Sequence, residues 1–308
     1  MTSTGPAAHV LRGPALDHRP PDFDVPPGAC DCHVHVFADP ATFALAAERR
    51  YNPEQASTGQ LRQHLGLLGL QRVVVVQPSP YGTDNACTLD AVGSLGDAAR
   101  AIAVTPVQVD QRHLQRLHAG GVRGLRFNLQ SSEFGSLDDA ATAMRAVADR
   151  IAPFGWNLQI YCGLDAFDAL HATLTSLPVP VVLDHFGGGL FASDARDPRL
   201  MRLLDAMARG KVYAKLSGAY LGPTTGPAVD LDHLIDLYLD AGSDRVLWGS
   251  NWPHPMPPVG TRRSLDGIEP LHQVDDGAAL NTIARRAIAR GVLDKLLVAN
   301  PQRLFWND

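Results

Sequence analysis

From residue 29 onward the chain alternates between two kinds of segment. Short apolar runs rich in β-branched residues are each followed by a polar loop and then by a stretch with helical spacing. The runs are ACDCHVHVF (29–37), RVVVVQ (72–77), AIAVTP (101–106), GLRFNL (124–129), NLQIYC (157–162), VVLDHF (181–186), VYAKLS (212–217) and VLWGSN (246–251). Nearly continuous apolar strands separated by helices imply a parallel sheet covered on its outer face. Helical spacing is clearest over 137–154, 166–177, 199–207, 231–239 and 278–298. Eight such units predict an α/β fold, a (β/α)8 TIM barrel forming a single domain over residues 29–308. The rival is a doubly wound open sheet. That fold usually carries a Gly-rich phosphate turn after its first strand, whereas here the first strand ends in HVHVF. The GGG at 187–189 lacks the dinucleotide spacing and reads as a flexible turn.

Residues 1–28 break the rhythm. They carry six prolines and little periodicity, which predicts a Pro-rich N-terminal tail or a strap across the surface.

Composition narrows the function classes. Hydrophobic residues make up 45% and charged residues 19%, enough for a sizeable core. The net charge is −5 with no basic stripe, so no nucleic-acid partner is expected. No apolar segment is long enough to span a bilayer, and the N-terminus lacks a charged-then-apolar signal pattern. A cytoplasmic location, no membrane partner and a small-molecule ligand are the expectations. The sequence does not set an oligomeric state. The four cysteines form no metal-finger or disulfide pattern. On a regular strand Cys30 and Cys32 face one way while Asp31, His33 and His35 face the other, so the thiols read as packing groups.

The polar residues within these runs gather near the C-terminal strand ends, where a barrel carries its active face. Strand one offers His33 and His35, strand four Arg126 and Asn128, and strand five Tyr161. Strand six offers Asp184 and His185, strand seven Lys215 and Ser217, and strand eight Asn251 with Trp252 and His254 just beyond. Two imidazoles on one strand face are either hydrogen-bonded core histidines, metal ligands or donors to a developing oxyanion. His185 supplies a third group in either active role. Arg126 within an apolar strand needs an anionic partner, from the protein or from a substrate carboxylate. Lys215 reads as one half of an internal ion pair. Tyr161 is equally a packed aromatic or a ligand contact. Arg262 and Arg263 read as solvated surface charge.

These residues resemble a known family. DCHVHVF (31–37), RVVVVQ (72–77), YGTDN (81–85), GVRGLRFN (121–128), VLDHFG (182–187), KLSGAY (215–220), WGSNWPHP (248–255) and NPQRLF (300–305) occur in order. Together they resemble the amidohydrolase superfamily, in particular its lactone-acting branch of pyrone-dicarboxylate lactonases and lactone isomerases. The resemblance implies a (β/α)8 barrel and attack on a cyclic ester carbonyl without a metal. It places His33, His35 and His185 around the carbonyl and Tyr51, Arg126 and Tyr161 on the substrate and its carboxylates. Ser79, Ser217 and His254 complete the candidate substrate contacts.

Two departures matter. The dicarboxylate lactonases carry further arginines where this chain has Ser132 and Leu221, which implies fewer substrate carboxylates or a hydroxylated substrate. The slot that usually holds a water-activating aspartate is Asn251. An amide neither accepts a proton at neutral pH nor brings negative charge to a metal. No cofactor is therefore expected, with at most weak or adventitious Zn²⁺ at His33, His35 and His185. The expectation is a hydrolase that opens a carboxylated lactone. The alternatives are a lactone isomerase, because Asn251 replaces the base, and a barrel that binds the lactone without turning it over or a variant engineered to be inactive.

Overall fold

The computed structural model describes residues 11–130, 134–223, 225, 228–257 and 262–307. Ser132 lies outside the described residues. The eight apolar runs form eight parallel strands: β1 (Cys30–Val34), β2 (Arg72–Val76), β3 (Ala99–Ala103), β4 (Val122–Asn128), β5 (Asn157–Tyr161), β6 (Val181–Leu183), β7 (Val212–Ser217) and β8 (Val246–Gly249). Each pairs in parallel with the next around the sheet. The outer ring is α1 (Thr58–Leu67), α2 (Ala86–Leu95), α3 (Gln111–Ala119), α4 (Leu137–Ile151), α5 (Leu164–Ser176), α6 (Pro198–Arg209), α7 (Leu231–Gly242) and α8 (Asp276–Ala289), followed by the short α9 (Asn300–Phe305). Side chains of Asp110, Ser136, Asp197, Asp230 and Asp275 cap α3, α4, α6, α7 and α8, each accepting a backbone N–H that the first turn leaves unpaired. None of the described helices is long and apolar enough to cross a membrane.

Period-2 alternation sorts the strand side chains. On β7, Val212, Ala214 and Leu216 face the helices while Tyr213 turns inward. The interior is a separate apolar cluster that includes Cys30, Cys32, Val74, Ile102, Val182 and Leu247. Leu304 and Phe305 of α9 close it at one end.

Two details depart from the sequence reading. First, β1 does not alternate regularly. Its register shifts between Asp31 and Val34, a β-bulge. Cys30 and Cys32 turn inward, yet His33 and His35 also reach the interior, while Asp31 points outward to His64 of α1. The bulged backbone presses on β8. A Cβ on Gly249 would lie 2.7 Å from His33 Cβ, so only glycine fits there. Second, the helical pattern over 278–298 is interrupted. Gly291 takes φ +67° and Val292 N–H donates to Ala287 O, a Schellman-type stop.

The barrel closes through the bulge. Asn251 N–H donates to His33 O at 2.9 Å, and His35 N–H donates to Trp252 O at 2.8 Å. Residues 11–28 run as a strap over this seam side. Arg19 N–H donates to Asp275 Oδ1, Asp22 N–H to Asn281 Oδ1 and Gly28 N–H to Gln71 Oε1.

Candidate active site

The C-terminal strand ends open into a cavity of about 390 Å³. It narrows to a recess of about 90 Å³ bordered by His35, Arg126, Tyr161, His185 and Asn251. Tyr51 and Ser79 line both parts. Seven of the ten residues expected at the site therefore border the cavity. The other three, His33, Ser217 and His254, lie behind it.

His33 is fully buried and sits beneath His35. His35 Nδ1 is 2.7 Å from Val76 O, and a carbonyl only accepts, so Nδ1 carries the proton. His35 Nε2 then faces His33 Nε2 at 3.3 Å. His33 Nδ1 lies between the Asp184 carboxylate, 3.1 Å away, and the Lys215 ammonium, 3.3 Å away. Lys215 also donates to Gln159 Oε1 at 2.7 Å. The two β1 imidazoles thus connect the recess to a buried ammonium and a buried carboxylate.

Asp184 organises the charges below the recess. Its Oδ2 accepts from Arg126 Nε at 3.0 Å, and its Oδ1 lies 3.1 Å from His33 Nδ1 and 3.5 Å from Lys215 Nζ. Burial alone would raise this carboxyl, but His33, Lys215 and Arg126 hold it well below the usual carboxylate range. The anion Arg126 needs is therefore protein-borne. Fixed through Nε, Arg126 still borders the recess and stacks near Tyr161, 5.6 Å from the ring centre.

Ser217 does not reach the cavity. Its hydroxyl is 2.9 Å from His185 Nδ1 and fixes that ring, leaving Nε2 toward the recess. Burial, with Arg126 and Lys215 nearby, pushes His185 down to about 4, and burial with Arg126 pushes His35 down to about 3. Both are neutral at neutral pH. His254 is withdrawn as well. It is wholly buried, its Nε2 is 3.0 Å from Asp276 Oδ1, and its ring packs edge-on to Tyr220.

Asn251 borders the recess with its amide held. Its Nδ2 donates to Tyr220 Oη at 2.7 Å, which leaves the carbonyl oxygen as its remaining polar atom. Tyr220 is the residue the sequence reading passed over. It stood in the KLSGAY stretch, but no spacing rule ties it to a residue 31 positions away. Arg263 was misassigned as solvated. Its guanidinium stacks on Tyr51 at 3.7 Å from the ring centre, pairs with Glu269 at 3.2 Å and lines the cavity. The GGG turn is rigid, not flexible. Gly187, Gly188 and Gly189 are buried, and a Cβ on any of them would come within 3 Å of a neighbour.

Among the described residues four non-glycine residues have positive φ: His185 (50°), Phe186 (56°), Asn251 (66°) and His254 (68°). All follow β6 or β8. Backbone held in this region costs on the order of 1–3 kcal/mol per residue, and such strain concentrates at functional sites.

Comparison with known proteins adds an independent line. The family model described as amidohydrolase matches residues 30–306. A 2-pyrone-4,6-dicarboxylate hydrolase from Comamonas testosteroni is 34% identical over 298 residues, covering 93% of this chain and 92% of that protein. A D-galactarolactone isomerase from Agrobacterium fabrum is 25% identical over 246 residues, covering 78% and 81%. A solved structure of a putative 2-pyrone-4,6-dicarboxylic acid hydrolase from Pseudomonas putida superposes with a TM-score of 0.74 at 26% identity, covering 92% and 98%.

Proposed function

Because this chain belongs to the amidohydrolase family, we propose that it is a lactone-acting enzyme that attacks the ring carbonyl of a carboxylated lactone without a metal. Its relatives include both lactone hydrolases and a lactone isomerase. The observation that carries the reading is the make-up of the recess. Arg126, Tyr161 and His185 converge there, and the polar residues bordering it include no carboxylate. Arg126 and a protonated His185 Nε2 would stabilise the negative charge that develops on the carbonyl oxygen. One such donor is typically worth about 10²–10³ in rate. Arg263, stacked on Tyr51 at the cavity wall, would hold the substrate carboxylate.

The donor set does not fit a divalent ion at the barrel histidines. Lys215 and Arg126 place two cations beside them, and Asn251 brings a neutral amide in place of a carboxylate. No step is therefore routed through a metal.

Water is the attacker in the hydrolase reading. With His185 held near 4, base assistance to that water is weak at neutral pH. A second reading follows from Asn251. Its fixed carbonyl can accept a hydrogen bond from a substrate hydroxyl already placed beside the ring carbonyl. Attack by that hydroxyl gives a ring isomer and suffers less from the missing base, since the nucleophile is prepositioned.

Incubation with a panel of carboxylated and neutral lactones, with and without hydroxyls, tests the proposal. NMR should reveal linear acid or ring isomer from the carboxylated members, unchanged by chelator. No conversion of any lactone, or activity lost with chelator and restored by metal, contradicts it.

A further inference from the structure

A second cluster of metal-ligating side chains lies away from the cavity, where the strap, α1 and the start of α8 meet. His18, His64 and Asp276 come together there with their side chains fully buried. His18 Nε2 is 3.0 Å from His64 Nδ1, and Asp276 Oδ2 is 3.7 Å and 3.8 Å from those two nitrogens. Three atoms at these separations share a centre about 2.1 Å from each, which matches Zn–N and Zn–O bond lengths of about 2.0–2.2 Å.

Charge supports an ion at that centre. Asp276 is fully buried, and among the described residues its ionic partners are imidazoles only. Buried carboxylates need a cation or a full set of donors. Asp276 Oδ2 has no hydrogen-bond donor, although it points between two imidazole nitrogens. The outer partners are also in place. His64 Nε2 faces Asp31 Oδ2 at 3.4 Å, and His254 Nε2 faces Asp276 Oδ1 at 3.0 Å. A ligating imidazole backed by a carboxylate is the usual arrangement around zinc.

We propose that His18, His64 and Asp276 bind a zinc-type divalent cation that pins the N-terminal strap to α1 and α8. Without the ion a proton holds its place. Asp276 N–H meets His18 Nδ1 at 3.2 Å, so His18 Nε2 carries a hydrogen and donates to His64. Binding moves the His18 proton from Nε2 to Nδ1, which frees the Nε2 lone pair for the cation, and His18 no longer accepts from the Asp276 N–H. The site is separate from the cavity and independent of the lactone reading. Its anchorage is close, since a Cβ on Gly277 would lie 1.7 Å from Arg19 O, leaving the strap no slack over α8.

The test is calorimetric titration of chelator-stripped full-length protein with zinc chloride. One equivalent should bind and raise the Tm. His18→Ala and Asp276→Asn should abolish binding, and Asp31→Asn should weaken it about 10–100-fold as an outer partner. His35→Ala should bind as the wild type does. If His18→Ala fails to fold, His18→Cys, which restores a ligand, should bind zinc. Absence of binding to the wild type overturns the proposal, as does binding that survives His18→Ala or is lost in His35→Ala.

Discussion

The two ends of the barrel are built from the same eight strands and do opposite things. At one end Cys30, Val74 and Leu247 meet Leu304 and Phe305 in an apolar cluster. At the other, Asp184 pairs with both Lys215 and Arg126 as buried charges, and four of the described non-glycine residues have positive φ. The apolar end gains stability from burial. The polar end gives some of it up to hold neutral imidazoles and cations around a recess. The difference implies that substitutions at one end change stability alone, and at the other change stability and chemistry together.

Asp184→Asn should have the largest effect. It leaves Arg126 and Lys215 buried beside a neutral amide, and breaking a buried pair this way costs about 3–5 kcal/mol. Urea unfolding should register that loss, and turnover should fall with it. A stable, active Asp184→Asn would mean that the two cations find other partners. Phe305→Ala should cost a similar amount, about 3–5 kcal/mol, because it hollows the plug. The folded fraction should nevertheless turn over substrate at the wild-type kcat, and a depressed kcat would erase the contrast between the ends.

Arg126→Ala sharpens the comparison within the polar end. Truncating one partner of a desolvated charge pair costs about 2–5 kcal/mol. As an oxyanion contact its loss should lower kcat for carboxylated and neutral lactones alike, while Arg263→Ala should raise the KM of the carboxylated ones alone. An unchanged kcat in a folded Arg126→Ala would assign Arg126 to Asp184 alone. The smallest effect is with pH. His185 is held at about 4 against about 6.5 in an unfolded chain. Its contribution to stability is whole above about 6.5 and is lost as pH falls toward 4, because the unfolded chain takes up the proton first. The Tm should drop across that window, and less so in His185→Gln. Identical slopes in the two proteins would refute the assignment.

Much of this was legible in the sequence because period-2 strands and their C-terminal ends are local signals. The eight apolar runs mark the strands, and the polar residues at their ends mark the cavity. What escaped is non-local. The bulge in β1 breaks the alternation that an unbroken strand assumes, so the facing of Cys32 and Asp31 was misread. Arg263 looks solvated until Tyr51 and Glu269 are placed around it. Gly187–Gly189 look loose until Tyr238, Leu203 and Gly163 close on them. His254 looks available until Asp276 claims it. The His18, His64 and Asp276 cluster spans 258 positions and gives no motif at all.

The central claim is that the recess attacks a lactone carbonyl without a carboxylate base, and residue 251 tests it most directly. Asn251→Asp restores such a base beside the recess, and general-base assistance is worth about 10²–10⁴-fold. With hydroxylated lactone acids as substrates and NMR separating linear acid from ring isomer over a pH series, the Asp form should raise hydrolysis relative to isomerisation by more than about tenfold. If the Asn251 enzyme already hydrolyses as fast as the Asp form, another group is the base and the account is contradicted.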